Sequence, residues 1–257
     1  MPLLEVEKLS KDFGGLRAVS NFHMTIDTGE ILGLIGPNGA GKTTVFNLIT
    51  GMIEPTTGVI KLDGKSLIGL PAYKIAGQGI ARTFQNIRIF KDMTVLDNVR
   101  AVFHSRVQYG LPGSFLRVGR YHAEEERIEA KAVELLGTFN LTGRMYDKAG
   151  SLPYGDQRRL EIARALALEP KLLLLDEPAA GMNPSEVARL VELIKFVKER
   201  FSVTVLLIEH QMGLVMNLCE RLVVMDFGQI IAQGLPEEVR TNAYVLEAYL
   251  GKGATSA

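Results

Sequence analysis

The sequence predicts an α/β fold: a mainly parallel sheet, with an antiparallel β region at the N-terminus and a helical insertion. Three observations support this prediction. Short apolar runs alternate with helical patterns in the second half of the chain, which is typical of parallel sheets. The N-terminal segment instead alternates between apolar and polar residues, as half-buried strands do. Between about residues 95 and 168 the pattern is helical.

The N-terminal β region begins at residues 3–9, where apolar and polar side chains alternate, and continues at residues 22–26. Thr28 and Gly29 predict a turn into a strand at residues 30–35. That strand is almost continuously apolar, which indicates that both of its faces are covered. Further strands are expected at 59–62, 80–84, 172–176 and 203–208, and in a hairpin formed by 222–226 and 230–233 around Phe227 and Gly228.

Helices are predicted from apolar periodicity and from their end signals. Asn183 is a cap residue and Pro184 suits a first helical position, so a helix should begin there. The loop expected at 108–119 is rich in glycine, and the last residues, KGATSA, read as a frayed tail. The predicted helices span 43–50, 95–103, 123–136, 156–168, 184–200 and 211–220.

We expect one domain over residues 1–257. Residues 1–90 and 169–235 should form the α/β core with its antiparallel part, 91–168 a helical subdomain, and 236–257 a C-terminal helix and tail.

The composition is that of an ordinary globular protein of 257 residues. The 29 basic residues equal the 29 acidic ones, so no overall field favours nucleic acid, and no nucleic-acid partner is expected. No signal peptide is expected, and the longest apolar runs are far shorter than the ~20 residues that span a bilayer. The one cysteine, Cys219, is expected at a buried helix position.

A glycine-rich loop follows the strand at 30–35 and matches the phosphate-binding pattern G-x-x-x-x-G-K-[ST]. Glycines let backbone amides converge on phosphate oxygens, and the next helix directs its positive end at the same anion. Lys42 should contact the β- and γ-phosphates, and the Thr43 hydroxyl should bind magnesium. The alternative is a structural glycine turn. The predicted nucleotide-binding residues are Gly36, Pro37, Asn38, Gly39, Ala40, Gly41, Lys42, Thr43 and Thr44.

Two acids, Asp176 and Glu177, end the apolar strand at 172–176. In parallel sheets ligands bind beyond the carboxyl ends of the strands, where the phosphate loop is also expected. Asp176 would complete the magnesium shell, partly through water, and Glu177 would orient the attacking water as general base. A solvated Asp-Glu turn is the alternative. Together the two motifs predict a P-loop NTPase, which binds a nucleoside triphosphate with Mg²⁺ and hydrolyses it.

Over nearly its whole length the sequence resembles the ATPases of the ABC transporter family. Within that family it is most similar to the ATP-binding subunits of branched-chain amino acid (Liv-type) importers. Besides the two motifs above, six segments carry the resemblance: KDFGG at 11–15, RTFQ at 82–85, SLPYGDQ at 151–157, AAGMN at 179–183, IEH at 208–210, and PEE at 236–238 with the AYLG ending.

The resemblance implies roles for single residues. Phe13 stands where the family has an aromatic side chain that stacks on adenine, although a core phenylalanine is the alternative. Gln85 would sense magnesium and the γ-phosphate while its loop contacts the transmembrane partner; a surface glutamine is the alternative. His210 corresponds to the switch histidine that contacts the γ-phosphate, and residues 179–183 correspond to the D-loop.

The signature segment departs from the family pattern LSGGQ. Pro153 replaces a serine and has neither hydroxyl nor N–H to offer, Tyr154 replaces a glycine, and Asp156 replaces the glutamine. Gly155 is retained, and the following helix can still direct its N-terminus at a phosphate. An acid there should weaken ATP binding unless it faces away. The expectation is therefore a pair of different cassettes with one stronger and one weaker site.

The resemblance also implies partners. A second ABC ATPase subunit would face this one, so that two ATP molecules lie between the phosphate loop of one and the signature of the other. Two transmembrane permease subunits would receive the motion, and an extracytoplasmic solute-binding protein would deliver the solute. The chain would be peripheral, at the cytoplasmic face of the inner (plasma) membrane.

Two other functions fit part of this pattern. The first is an ABC ATPase of another system, which moves a different solute or acts outside transport. The second is a regulatory nucleotide-binding module that does not hydrolyse ATP, against which Glu177 and His210 both argue.

Overall fold

The computed structural model describes residues 2–104 and 121–250. The loop expected at 108–119 and the tail KGATSA lie outside the described residues. The chain divides into two compact units, one formed by Met1–Gln85 with Lys171–Ala257 and the other by Asn86–Pro170. The boundaries expected from the sequence, at 90/91 and 168/169, stay a prediction.

The first unit contains an antiparallel sheet of four strands in the order β2-β1-β4-β5. The first two strands are longer than the alternating pattern predicted, because pairing between Phe13 and Leu16 extends the hairpin beyond the alternating apolar residues. The short strand β5 has two exposed residues and gave no apolar signal. The strands are β1 (Leu4–Phe13), β2 (Leu16–Ile26), β4 (Thr57–Leu62) and β5 (Lys65–Ser66).

A second sheet in the same unit has six strands in the order β10-β9-β3-β8-β7-β6. Neighbours from β9 to β6 are parallel, and β10 pairs antiparallel with β9. The central strand β3 lies between β8 and β9 and is buried along its whole length, which explains its continuous apolar sequence. The strands are β3 (Ile31–Ile35), β6 (Ile80–Arg82), β7 (Leu172–Asp176), β8 (Thr204–Ile208), β9 (Arg221–Asp226) and β10 (Gln229–Gly234).

Six described helices accompany these sheets in the first unit. The helix at 184 begins as predicted. Asn183 is its cap residue and forms a capping box with Glu186, and Pro184 lies in its first turn. Of the region expected to hold one C-terminal helix, the described part forms two short ones. The helices are α1 (Lys42–Ile49), α2 (Ala72–Gln78), α6 (Pro184–Phe201), α7 (Met212–Leu218), α8 (Pro236–Arg240) and α9 (Ala243–Leu250).

The helix expected at 211–220 is shorter than predicted. Cys219 has an extended backbone and leads directly towards β9, so it is buried as expected but stands just outside the helix. The expectation of a helix position for this cysteine was therefore wrong.

The second unit is helical where it is described. Thr94 caps its first helix by accepting the backbone N–H of Asp97, and the buried Asn98 side chain bonds the backbone of Phe90 and Thr94. Two short 3₁₀ turns, Thr142–Arg144 and Ala149–Ser151, precede the last helix. The helices are α3 (Val95–Phe103), α4 (Tyr121–Thr138) and α5 (Tyr154–Leu166).

No helix within residues 2–104 and 121–250 is both long and apolar enough to cross a membrane.

Candidate functional site

The phosphate loop connects β3 to α1, as the sequence predicted. Gly36 and Gly41 have φ angles of +148° and +101°. A Cβ at Gly36 would lie 2.1 Å from the Met225 carbonyl oxygen, and one at Gly41 would lie 2.5 Å from that of Ala18. Neighbouring backbone therefore excludes a side chain at either position, so this path of the loop requires glycine there.

The N-terminus of α1 opens onto the loop. Gly41 is its cap residue and supplies no side-chain hydrogen bond, and the first backbone bond runs from Val45 N–H to the Gly41 carbonyl. The N–H groups of a helix's first turn have no intrahelical acceptor, and the helix dipole favours an anion in front of them. This end of α1 suits a phosphate group.

The Lys42 ammonium group spans the same loop. Its Nζ donates to the carbonyl oxygens of Gly36 and Pro37 at 2.7 and 2.8 Å. Burial lowers the pKa of Lys42, and the negative charges of Glu177 and Asp176 oppose that effect. A buried cation is thus held between the loop and the two acids that the sequence singled out.

A cleft of about 330 Å³ lies over the loop. It includes Glu177 and most of the predicted loop residues, and also Leu16, Arg17 and Phe227, which sequence reasoning missed. These three gave no motif signal, since they are exposed residues of the hairpins β1–β2 and β9–β10. The cleft is lined by Leu16, Arg17, Ala18, Asn38, Gly39, Ala40, Gly41, Lys42, Thr43, Thr44, Glu177, Phe227 and Gly228.

Glu177 follows β7 with a left-handed backbone, φ +44°. Its own N–H donates to the Ile208 carbonyl at 2.9 Å, which holds the residue at the carboxyl end of β8. A non-glycine residue in this conformation costs about 1–3 kcal/mol, and such strain concentrates at functional sites.

Three of the predicted site residues meet at the Glu177 carboxylate. Gln85 Nε2 donates to Glu177 Oε2 at 2.7 Å, and His210 Nδ1 lies 3.8 Å from the same oxygen. The residues come from segments after β6, β7 and β8, which are neighbours in the parallel sheet. An amide, a carboxylate and an imidazole are thus gathered at one edge, where they can position a water molecule.

Asp176 has a partner that the sequence did not predict. Arg82 Nη2 donates to Asp176 Oδ2 at 2.7 Å, and each side chain is only 7% exposed. Arg82 belongs to the RTFQ segment, in which the family resemblance implied a role for Gln85 alone.

Glu209 is a further residue that sequence reasoning missed. It is 0% exposed, and its carboxylate accepts the backbone N–H groups of Ala179, His210 and Gln211. Gln211 Nε2 also donates to the Ala179 carbonyl at 3.2 Å. These hydrogen bonds therefore link the D-loop segment at 179–183 to the segment that carries His210.

Phe13 is 45% exposed at the end of β1, which excludes a place in the core. The Lys11 ammonium lies 5.1 Å from the centre of its ring. Phe13 does not line the cleft, so adenine stacking on it stays a prediction.

The signature segment lies in the second unit. Pro153 is the cap residue of α5, and Gln157 Nε2 donates to the Leu152 carbonyl at 2.8 Å. The Asp156 carboxylate pairs with Arg159 one turn along the helix. The added acid is therefore balanced by its own helix, and Gly155 has open space around its missing Cβ.

A glycine loop connects a strand to a helix, its lysine is buried, and an Asp-Glu pair ends β7, two strands away in the same parallel sheet. This combination defines a P-loop nucleotide-binding protein. The family model described as ABC transporter matches residues 19–180, and the model described as branched-chain amino acid ATP-binding cassette transporter matches residues 229–255. The chain belongs to the ABC transporter family and is an ATPase of that family. The prediction of this fold and of an ATPase is confirmed.

Curated relatives cover almost the whole chain. The high-affinity branched-chain amino acid transport ATP-binding proteins BraF of Pseudomonas aeruginosa and LivG of Escherichia coli are each 45% identical over 98% of this chain and 98% of their own. The solved ADP conformation of MJ1267, an ATP-binding cassette of an ABC transporter, is 32% identical. Its TM-score is 0.85, over 98% of this chain and 100% of that one.

Proposed function

We propose that this chain hydrolyses ATP to power an importer of branched-chain amino acids through two separate permease subunits. The hydrolytic part rests on the Gln85–Glu177–His210 cluster beside the Lys42 loop. The solute is supported by the two relatives and by the branched-chain model that matches residues 229–255. An ABC ATPase that serves a different solute is the alternative.

In this proposal the chain first grips the triphosphate. Backbone amides of the loop and the N-terminus of α1 receive the phosphate oxygens, and the Lys42 ammonium exchanges its carbonyl contacts for the β- and γ-phosphates. Glu177 orients the attacking water and takes its proton as general base. Gln85 and His210 both lie next to the Glu177 carboxylate and fix it. Each would also contact the γ-phosphate once ATP is bound.

Mg²⁺ fits the oxygen donors at this edge. The Thr43 hydroxyl, an Asp176 oxygen and the Gln85 amide are ligands of the kind that this ion accepts alongside phosphate and water. Mg²⁺ usually keeps several waters and takes only one or two carboxylates from the protein, so Asp176 suffices as its carboxylate ligand. Bound Mg²⁺ would neutralise charge that develops on the phosphate oxygens.

The proposed assembly includes a second, different ABC ATPase subunit and an extracytoplasmic solute-binding protein, at the cytoplasmic face of the membrane. Pro153 lacks the hydroxyl and the N–H that a serine would offer in this chain's signature, so the weaker ATP site would be the one that contains the partner's phosphate loop. Replacement of Lys42 should then reduce ATPase activity more than replacement of the corresponding lysine of the partner. Equal losses in the reconstituted complex would contradict this asymmetry.

Solute uptake tests the proposal directly. In host cells that lack this chain, accumulation of labelled leucine, isoleucine and valine should fall and should return with the wild-type chain. Glu177→Gln should not restore it, whereas Glu192→Gln, at an exposed position of α6, should. Unchanged uptake of all three amino acids in the deleted cells would overturn the branched-chain assignment, while ATPase activity of the complex would leave the family role in place.

A further inference from the structure

The two oxygens of the Asp176 carboxylate have different surroundings. Its Oδ2 accepts a hydrogen bond from the Arg82 guanidinium at 2.7 Å. Its Oδ1 accepts no hydrogen bond within the part of the chain that the structure describes. Because both side chains are nearly fully buried, water does not screen the pair, and the free oxygen has a fixed direction.

The same guanidinium also forms a hydrogen bond with a side chain of α1. Arg82 Nη1 donates to Asn47 Oδ1 at 2.7 Å. Asn47 follows Thr43 by four residues, so the two side chains lie on one face of the helix. Arg82 thus links the helix that carries the Thr43 hydroxyl to the strand end that carries Asp176.

Two aromatic rings lie next to the Arg82 guanidinium. Its carbon lies 5.4 Å from the ring centre of Phe46 and 5.0 Å from that of Phe84. Arg82 Nε is buried and has no partner in the described residues. An unpaired buried donor costs about 1–3 kcal/mol, so stability alone is a poor reason for this arrangement.

We propose that Arg82 is a positioning residue for the divalent cation that binds with the nucleotide. By holding Asp176 Oδ2 and Asn47 at once, it presents Asp176 Oδ1 and the Thr43 hydroxyl to the same ion. The inference rests on the proposed magnesium–nucleotide site and adds the residue that sets its geometry. A lysine would supply the positive charge but not two N–H donors fixed in one plane.

Mn²⁺, a paramagnetic substitute for Mg²⁺, tests this in the full chain by electron paramagnetic resonance with ADP present. Arg82→Met should raise the dissociation constant of Mn²⁺ about 10-fold or more, as is usual when a residue that orients a metal ligand is removed. Arg82→Lys should recover part of the affinity, and Asn47→Ala should weaken it, but less than Arg82→Met does. The affinity for ADP without metal should change less than about 2-fold, because no phosphate contact is removed.

Arg221→Met is the matched control. Arg221 pairs with Glu30 at the same 2.7 Å distance but at the opposite end of β9 from the loop, so Mn²⁺ affinity should be unchanged. Equal loss of ADP affinity with and without Mn²⁺ in Arg82→Met, or unchanged Mn²⁺ affinity, would overturn the inference.

Two further outcomes separate this inference from the proposed function. If Arg82→Met does not fold, unchanged Mn²⁺ affinity in both Arg82→Lys and Asn47→Ala would overturn it equally. A wild-type chain that binds no Mn²⁺ with ADP would contradict the inference together with the proposed function. A chain that binds Mn²⁺–ADP normally without Arg82 would contradict the inference alone.

Discussion

The Glu209 carboxylate accepts the backbone N–H of Ala179 at 3.0 Å and so joins two segments that are 30 residues apart in the chain. Its other oxygen accepts the N–H groups of His210 and Gln211. The carboxylate is buried without a cation within hydrogen-bond distance in the described residues, and these three amides satisfy its charge instead. Any shift of the Ala179 segment should therefore be felt at His210.

Glu209→Gln should lower both stability and activity. The amide keeps one acceptor oxygen and turns an NH₂ group towards a backbone donor, so we expect a loss of about 2–4 kcal/mol in the free energy of unfolding. ATPase activity of the assembled complex should fall about 10-fold as His210 loses its position. Urea unfolding and ATP turnover measure the two effects. Glu192→Gln, on the exposed face of α6, is the control. Equal urea midpoints for Glu209→Gln and the wild type would contradict the prediction.

The fold was predictable where local sequence determines it. A continuous apolar run predicted β3, and Asn183 with Pro184 predicted the start of α6. The helix α2 was missed because only Ile75 among its residues is buried and no side chain caps it. Weakly amphipathic elements of this kind form through tertiary packing, which a periodic pattern does not record.

The site was predictable to the extent that its residues are adjacent in the chain. The loop at 36–43 and the Asp176-Glu177 pair are contiguous motifs, so the sequence alone predicted a chemical role for each. Arg82 meets Asp176 across 94 residues, and Glu209 meets Ala179 across 30. Sequence spacing carries no signal for such contacts, because the parallel strand order alone brings them together.

Glu177→Gln and Glu177→Gly should separate catalysis from backbone strain. Both remove the carboxylate that we propose as general base, so ATP turnover by the complex should fall at least about 100-fold. Only glycine relieves the left-handed backbone at φ +44°, so Glu177→Gly should be more stable than Glu177→Gln by about 1 kcal/mol. Thermal unfolding of the two variants measures this difference. Equal stability would show that the residue is not strained.

Phe227→Ala should weaken ATP binding. The phenyl ring is 86% exposed at the tip of the β9–β10 hairpin and lines the cleft together with Leu16. Stacking or apolar contact with the base is worth about 0.5–1.5 kcal/mol, so the dissociation constant should rise about 2- to 12-fold.

The affinity for inorganic triphosphate separates base contacts from loop contacts. It should be unchanged in Phe227→Ala, because triphosphate has no base. Tyr244→Ala, at an exposed aromatic residue outside the cleft, should bind ATP like the wild type. If Phe13→Ala weakened ATP binding and Phe227→Ala did not, Phe227 would have no role in binding the base. The predicted stacking on Phe13 would then gain support.

Cys219 should be unreactive in the folded protein. Burial, followed by the negative charges of Glu209 and Glu220, raises the pKa of its thiol from 9.0 to about 12. At pH 8 only about one thiol in ten thousand is then ionised, so labelling by a disulfide reagent should require unfolding. Rapid labelling of native protein, at the rate seen in denaturing urea, would contradict this.

The same shift makes stability depend on pH with a defined sign. The unfolded chain loses the thiol proton near pH 9.0, whereas the folded chain retains it up to about pH 12. The thiol's contribution to stability is therefore fully present below pH 9 and is lost as the pH rises from 9 towards 12. Lys42 and Tyr249 also have shifted pKa values, so the thiol must be isolated by comparison with Cys219→Ala. The wild type should lose more unfolding free energy than this variant between pH 9 and pH 11, and parallel losses would show that the thiol ionises as freely in the folded chain as in the unfolded one.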